Sequence, residues 1–165
     1  MEFRIRPIAG DEWRLWRSLR LRAVEDSPDA FRGSVARESA EANDWWIKLI
    51  ETTADHPRAL LLVAEVGPDP VGMLFGQLGD GSDVLDIGAM WVDPEVRREG
   101  IGSCLVEAAV AWGRGAGANR AELWVTEGSE AAEGLYRKAG FAATGEAEPL
   151  REDSELAVVK MSAQI

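Results

Sequence analysis

The chain holds one cysteine, Cys104, one histidine, His56, and one tyrosine, Tyr136, among 165 residues. A single cysteine excludes an intrachain disulfide. With only one histidine beside it, little remains for a Cys/His zinc site, so no metal is expected. Positive charge is also short: 18 Lys and Arg face 29 Asp and Glu, a net charge of −11. A phosphate backbone repels such a chain unless a local basic patch forms, which argues against a nucleic-acid partner. The same charge attracts a cationic small molecule. No stretch approaches the roughly 18 apolar residues needed to span a bilayer, and Met1-Glu2-Phe3-Arg4-Ile5-Arg6-Pro7 lacks the apolar core of a signal peptide. The expectation is a cytoplasmic protein without membrane contact. Apolar residues at 46% and charged residues at 28% are close to globular averages and argue against disorder. A single domain over residues 1–165 is expected, long enough to hold a core without metals or disulfides.

Hydrophobic periodicity places the elements. Phe3, Ile5 and Pro7 alternate with polar residues, predicting a short strand. Asp11 is a good N-cap for a helix carrying Trp13, Trp16, Leu19 and Ala23, which must end before Pro28. Ser27 to Ser34 reads as a loop, and a second helix is predicted from about Glu38 to Thr53. Ala59 to Val66 reads as a buried strand, and Gly67-Pro68-Asp69-Pro70 turns the chain into Val71 to Gln77. Val84 to Val92 forms the next strand. An amphipathic helix follows from about Gly100 to Arg114, then a strand at Leu123 to Val125, a helix from Glu130 to Ala139, and strands at Phe141 to Gly145 and Leu156 to Met161. Such mixing predicts an α/β or α+β domain with a mixed sheet.

The strongest chemical signal is Met90-Trp91-Val92-Asp93-Pro94-Glu95-Val96-Arg97-Arg98-Glu99-Gly100-Ile101-Gly102. A strand runs into a loop with two arginines and two glycines, and a helix follows. Successive backbone N–H groups in such a loop form a concave nest, and the helix N-terminus adds partial positive charge, which together suit a diphosphate. Arg97 and Arg98 supply mobile positive charge, and the glycines allow an oxyanion close to the main chain. The Walker and dinucleotide fingerprints both fail here: the Gly-Lys-Ser/Thr ending and the third glycine are absent.

Arg97-x-x-Gly100-x-Gly102, preceded by Val92-Asp93-Pro94, resembles the Arg/Gln-x-x-Gly-x-Gly/Ala signature of the GCN5-related N-acetyltransferases, the GNAT family. Leu135-Tyr136-Arg137-Lys138-Ala139-Gly140-Phe141 is similar to a second family motif. The resemblance covers about Leu85 to Gly145 well and the first 80 residues only in the order of elements. It implies a mostly antiparallel sheet of six or seven strands flanked by helices, splayed at the acetyl-CoA site. It also implies roles. Backbone groups of Met90 and Val92 would pair with the pantetheine arm. The N–H groups of Arg97, Arg98, Glu99, Gly100, Ile101, Gly102 and Ser103 would hold the pyrophosphate. Tyr136 would be general acid toward the leaving thiolate. Ser129 stands where many members carry an asparagine that contacts the cofactor arm. Asp86 matches the position of a glutamate general base, with Asp83, Glu25, Glu127 or water as alternatives.

The implied reaction is transfer of an acetyl group from acetyl-CoA to a primary amine, by direct attack in a ternary complex. The net charge points to a small cationic acceptor, with Glu25, Asp26, Glu38, Glu41 and Asp44 near its entrance. A protein N-terminal or lysine acetyltransferase, and a non-catalytic acyl-CoA sensor, are the alternatives. The reading leaves room for a homodimer. Of the adjacent Trp45 and Trp46, only one can face a core, and the other is expected to line the acceptor cleft.

Overall fold

The computed structural model describes residues 1–165. Seven strands form one sheet: β1 (Arg4–Pro7), β2 (Ala59–Val66), β3 (Asp69–Leu78), β4 (Val84–Val92), β5 (Arg120–Thr126), β6 (Ala142–Pro149) and β7 (Ala157–Gln164). Their order is β1-β2-β3-β4-β5-β7-β6. Every neighbouring pair is antiparallel except β4 and β5. That parallel step needs a crossover, which is α4 (Ile101–Gly115). The remaining helices are α1 (Trp13–Asp26), α2 (Val35–Ser39), α3 (Asn43–Thr53) and α5 (Glu130–Lys138).

Each sheet face has its own core. Leu60, Leu62, Leu74, Leu85 and Ile87 pack with Ile101, Leu105 and Ala109 of α4 and Tyr136 of α5. Leu61, Val63, Met73 and Trp91 pack with Trp16, Leu19 and Ala23 of α1 and Trp46 and Ile50 of α3. This explains why β2 is almost continuously apolar: its residues alternate between two buried faces. Leu105 is fully buried, and truncating such a leucine to alanine costs about 2–5 kcal/mol.

The expected helix from Glu38 to Thr53 is in fact α2 and α3, broken at Ala40 to Ala42. Two anchors demand different axes: Glu38 is ion-paired with Arg20 of α1 at 2.9 Å, while Trp46 and Ile50 turn into the core. The N-cap of α1 is Glu12, not Asp11. Its carboxylate accepts the Ala9 N–H at 2.7 Å and pairs with Arg6 at 2.8 Å, fixing the chain's entry into the helix. The loop after α1 contains a short 3₁₀ turn at Pro28–Ala30. β6 and β7 run longer than expected because they pair with each other, although every residue of β6 is exposed.

Candidate active site

Parallel pairing between β4 and β5 runs from Val84↔Arg120 to Ile87↔Leu123 and stops there, although both strands continue. The cause lies on the other edge of β4. Between the partners Met73↔Trp91 and Phe75↔Gly88, β3 supplies one residue and β4 supplies two, Ala89 and Met90. That extra residue is a β-bulge, which bends the bulged strand, and Ala89 adopts a φ of 51° to accommodate it. The strands separate into a cavity of about 110 Å³, lined by Met90, Trp124, Ser129, Tyr136 and, from the loop after α1, Ala30 and Phe31.

At the top of β4 the Asp93 N–H donates to the Val71 carbonyl of β3 at 2.8 Å. The carbonyl across that peptide bond, Val92 O, therefore points away from β3. It accepts Arg97 Nε at 2.9 Å. Beyond it, none of the seven backbone N–H groups from Arg97 to Ser103 donates to a backbone carbonyl; Cys104 is the first, to Gly100 O at 3.0 Å. α4 has no side-chain cap. Unpaired amides with a helix N-terminus behind them form an anion site. Two left-handed residues, Arg98 at φ 69° and Gly100 at φ 85°, curl this loop.

One expectation about the loop needs correcting. Arg97 is not mobile: besides Val92 O it holds Asp26 at 2.6 Å. Gly102 also has a packing role. A Cβ there would lie 2.8 Å from Leu135 Cδ1 and 3.0 Å from Met90 Cε, so this glycine serves close packing of α4 against α5 and β4.

Tyr136, on α5, is buried with its ring edge-on to Phe141 at 6.1 Å between centroids. Burial alone pushes its pKa up to about 12. Ser129 precedes α5, makes no capping bond with its side chain, and lines the cavity. Asp86 lies on the opposite sheet face from Leu85 and Ile87, one step before the strands part. It pairs across the parallel step with Glu122. The residue is exposed as a whole, but the protein around its carboxyl removes part of the water there. Desolvation first and the Glu122 charge second raise its pKa, against an opposing pull from Lys160. Asp83 is placed at the foot of β4 and bonded by Asn119. Glu25 instead lines a separate open groove of about 850 Å³, beside Arg32, Arg37 and Arg151.

Sequence reasoning missed Trp124, Glu122 and Lys160. On β5, Ala121, Leu123 and Val125 enter the core while Glu122 and Trp124 face the other way. A tryptophan at an outward position of a half-wet strand was the available signal. Its ring has Lys160 Nζ 5.1 Å and Arg32 Cζ 5.7 Å from the centroid. Lys160 also reaches Glu122 at 3.5 Å and Glu146 at 3.2 Å. Trp45 is exposed and Trp46 buried, as adjacency required, but Trp45 is not among the cavity residues. Two of the acidic residues expected to form a free field, Asp26 and Glu38, are ion-paired instead. No group of three or more His, Cys, Asp or Glu side chains is placed to hold a metal ion. No helix is long and apolar enough to cross a membrane.

Residues 20–141 match the model of the Acetyltransferase (GNAT) family. The chain is 37% identical over 109 residues to a peptidyl-lysine N-acetyltransferase, YjaB, of Salmonella typhimurium, covering 65% of this chain and 68% of that one. It is 30% identical over 146 residues to a mycothiol acetyltransferase of Nocardiopsis dassonvillei, covering 84% of this chain but only 42% of the relative. The acetyltransferase of the GNAT family from Streptococcus pneumoniae superposes with a TM-score of 0.86 over 99% of both chains, at 19% identity. The chain belongs to the GNAT family of acetyltransferases. It is accordingly an N-acetyltransferase whose acetyl donor is acetyl-CoA.

Proposed function

We propose that the chain acetylates the primary amine of a small cationic molecule by direct attack on acetyl-CoA. The observation that carries this reading is the gap between β4 and β5, with the buried Tyr136 at its wall and the Asp86–Glu122 pair one residue before the last pair of the two strands. The unpaired amides from Arg97 to Ser103 hold the diphosphate. Arg97 occupies the Val92 carbonyl, so Val92 meets the pantetheine arm through its N–H, beside the backbone of Met90. Ser129 adds a hydroxyl to that arm. The amine arrives over Trp124 from the Asp86 face. Asp86, reaching through water, takes its proton, and a carboxylate of raised basicity suits that task. The amine nitrogen attacks the thioester carbon, the C–S bond breaks as the tetrahedral intermediate collapses, and Tyr136 donates to the leaving sulfur. Positioning of the two reactants supplies much of the rate.

Cationic selectivity rests on the net charge of −11 and on Asp86 and Glu122, paired beside the point where β4 and β5 part. A second reading, a lysine side chain of a protein, is favoured by the YjaB relative and by the open groove beside the cavity. A screen of free amines and lysine peptides with acetyl-CoA, read by mass spectrometry, separates the two. The first reading expects a free polycationic amine as best acceptor, with a KM that rises with salt, because screening shortens from about 10 Å at 0.1 M to about 3 Å at 1 M. A neutral or acidic best acceptor with a salt-independent KM refutes it.

A further inference from the structure

Asp26, the last residue of α1, touches parts of the site that the sequence keeps far apart. Its Oδ2 accepts Arg97 Nη2 at 2.6 Å, Trp91 Nε1 at 3.0 Å and Ser27 Oγ at 2.6 Å. Arg97 opens the diphosphate loop and also holds the Val92 carbonyl. Trp91 lies on β4 between the two residues that meet the pantetheine arm. Ser27 begins the segment Ser27–Phe31, whose last residues, Ala30 and Phe31, wall the cavity. That segment is strapped along its length: Thr126 Oγ1 donates to the Asp29 carbonyl at 2.6 Å, and Arg151 Nη1 to the carbonyls of Pro28 at 3.0 Å and Phe31 at 2.7 Å. Partial burial pushes the Asp26 pKa up, but its donors outweigh that and hold the carboxyl below the usual range. Asp26 therefore meets Arg97 as a carboxylate at neutral pH.

We infer that Asp26 is a positioning residue that couples acetyl-CoA binding at 97–103 to the acceptor wall Ser27–Phe31. The inference rests on the reading of 97–103 as the diphosphate loop. A diphosphate on that loop orders the backbone that carries Arg97, and the Arg97 side chain, already held by Asp26, passes that restraint to the point where α1 turns into the wall. A ligand that orders one end of such a chain lowers the cost of ordering the other. The acceptor then meets a wall already set against the thioester.

Amide hydrogen exchange, with and without saturating acetyl-CoA, tests this in the wild type, Asp26→Asn and Arg97→Met. The reporters are the N–H groups of Ser27 and Ala30, bonded to the carbonyls of Ala23 and Ser27 at 2.9 Å each. Asp26→Asn keeps an oxygen for Trp91 and removes the charge that holds Arg97, so it preserves more of the fold than alanine would. In the wild type, acetyl-CoA should slow exchange over 97–103 and, by about fivefold or more, at Ser27 and Ala30. In either variant only 97–103 should respond. A purely structural role would alter exchange at Ser27 and Ala30 equally with and without acetyl-CoA, and that result overturns the inference. So does a wild type in which 97–103 is protected and the wall is not. If acetyl-CoA protects neither region, the diphosphate reading itself falls and takes this inference with it.

Discussion

Tyr136→Phe removes one hydroxyl and keeps the ring, so its effect can be worked from the geometry. The hydroxyl titrates at about 12 because burial alone disfavours the phenolate. A gap of five units from pH 7 leaves on the order of one molecule in 10⁵ ionised, so the donor is always loaded. The same shift makes it a reluctant acid. Taking a thiol pKa near 8.5, full transfer to a free thiolate is uphill by about 3.5 units, or about 5 kcal/mol. In its proposed role the phenol would therefore act chiefly by hydrogen-bonding sulfur as charge develops. A donor of that kind is worth on the order of 10²-fold, the low end of the range for acid catalysis. Stability should move by less than about 1 kcal/mol, because the phenol gives up no structural hydrogen bond. The assay is release of the CoA thiol with the best acceptor, followed by a thiol reagent; the lone Cys104 contributes only a fixed background. The expected result is kcat down about 10²-fold with the KM for acetyl-CoA within about twofold. A variant within threefold of wild-type kcat, or one that loses more than about 2 kcal/mol of stability, refutes the role.

Ser103→Glu places a carboxylate among the unpaired amides at the start of α4. An acid there normally stabilises a helix, so calorimetry should show at least about tenfold weaker acetyl-CoA binding with no loss of Tm; unchanged binding would remove the diphosphate assignment. For Asp86, the raised pKa puts the acidic limb of kcat/KM above the usual aspartate range, with activity lost as pH falls through it. Glu122→Gln removes a raising charge and should move that limb down, whereas Lys160→Met removes a lowering charge and should move it up; a limb that stays fixed in both assigns the base elsewhere. Gly102→Ala forces a methyl against Leu135 and Met90, both flexible ends, and thermal unfolding should report a loss of about 1–2 kcal/mol. No loss would show that α4 does not need the close approach.

Elements with a strong local pattern were legible in the sequence. β2, β4 and α4 fall within a residue or so of their expected bounds, because runs of Leu, Ile and Val with glycine or proline punctuation respond to local rules. The helix break at Ala40 to Ala42 was not legible. Nothing local forbids a helix through Ala40-Glu41-Ala42; the break answers to Arg20, eighteen residues before Glu38. The start of α1 was misjudged for a similar reason. Asp11 has the better capping side chain, but the Glu12 carboxylate is recruited by Arg6 and the Ala9 amide.

The site divides along the same line. The proposed diphosphate loop and tyrosine rest on contiguous residues, since a nest and a helix N-terminus are built from neighbours in the chain. The proposed acceptor side is built from residues that meet only across strands: Asp86 beside Glu122, Trp124 beside Lys160. Its sequence trace is one outward tryptophan and isolated charged residues, Asp86, Glu122 and Lys160, between apolar ones, which any half-exposed strand could carry. The splay needs both kinds of information. Gly88 inside an apolar strand is a local hint of irregularity, but which neighbour is lost depends on the register with β3, where one residue faces two. With Ala89 at φ 51°, β4 keeps β3 and leaves β5. The opening is thus a consequence of mismatch at one edge of β4 expressed at the other, and residues that tune the bulge should tune the width of the gap.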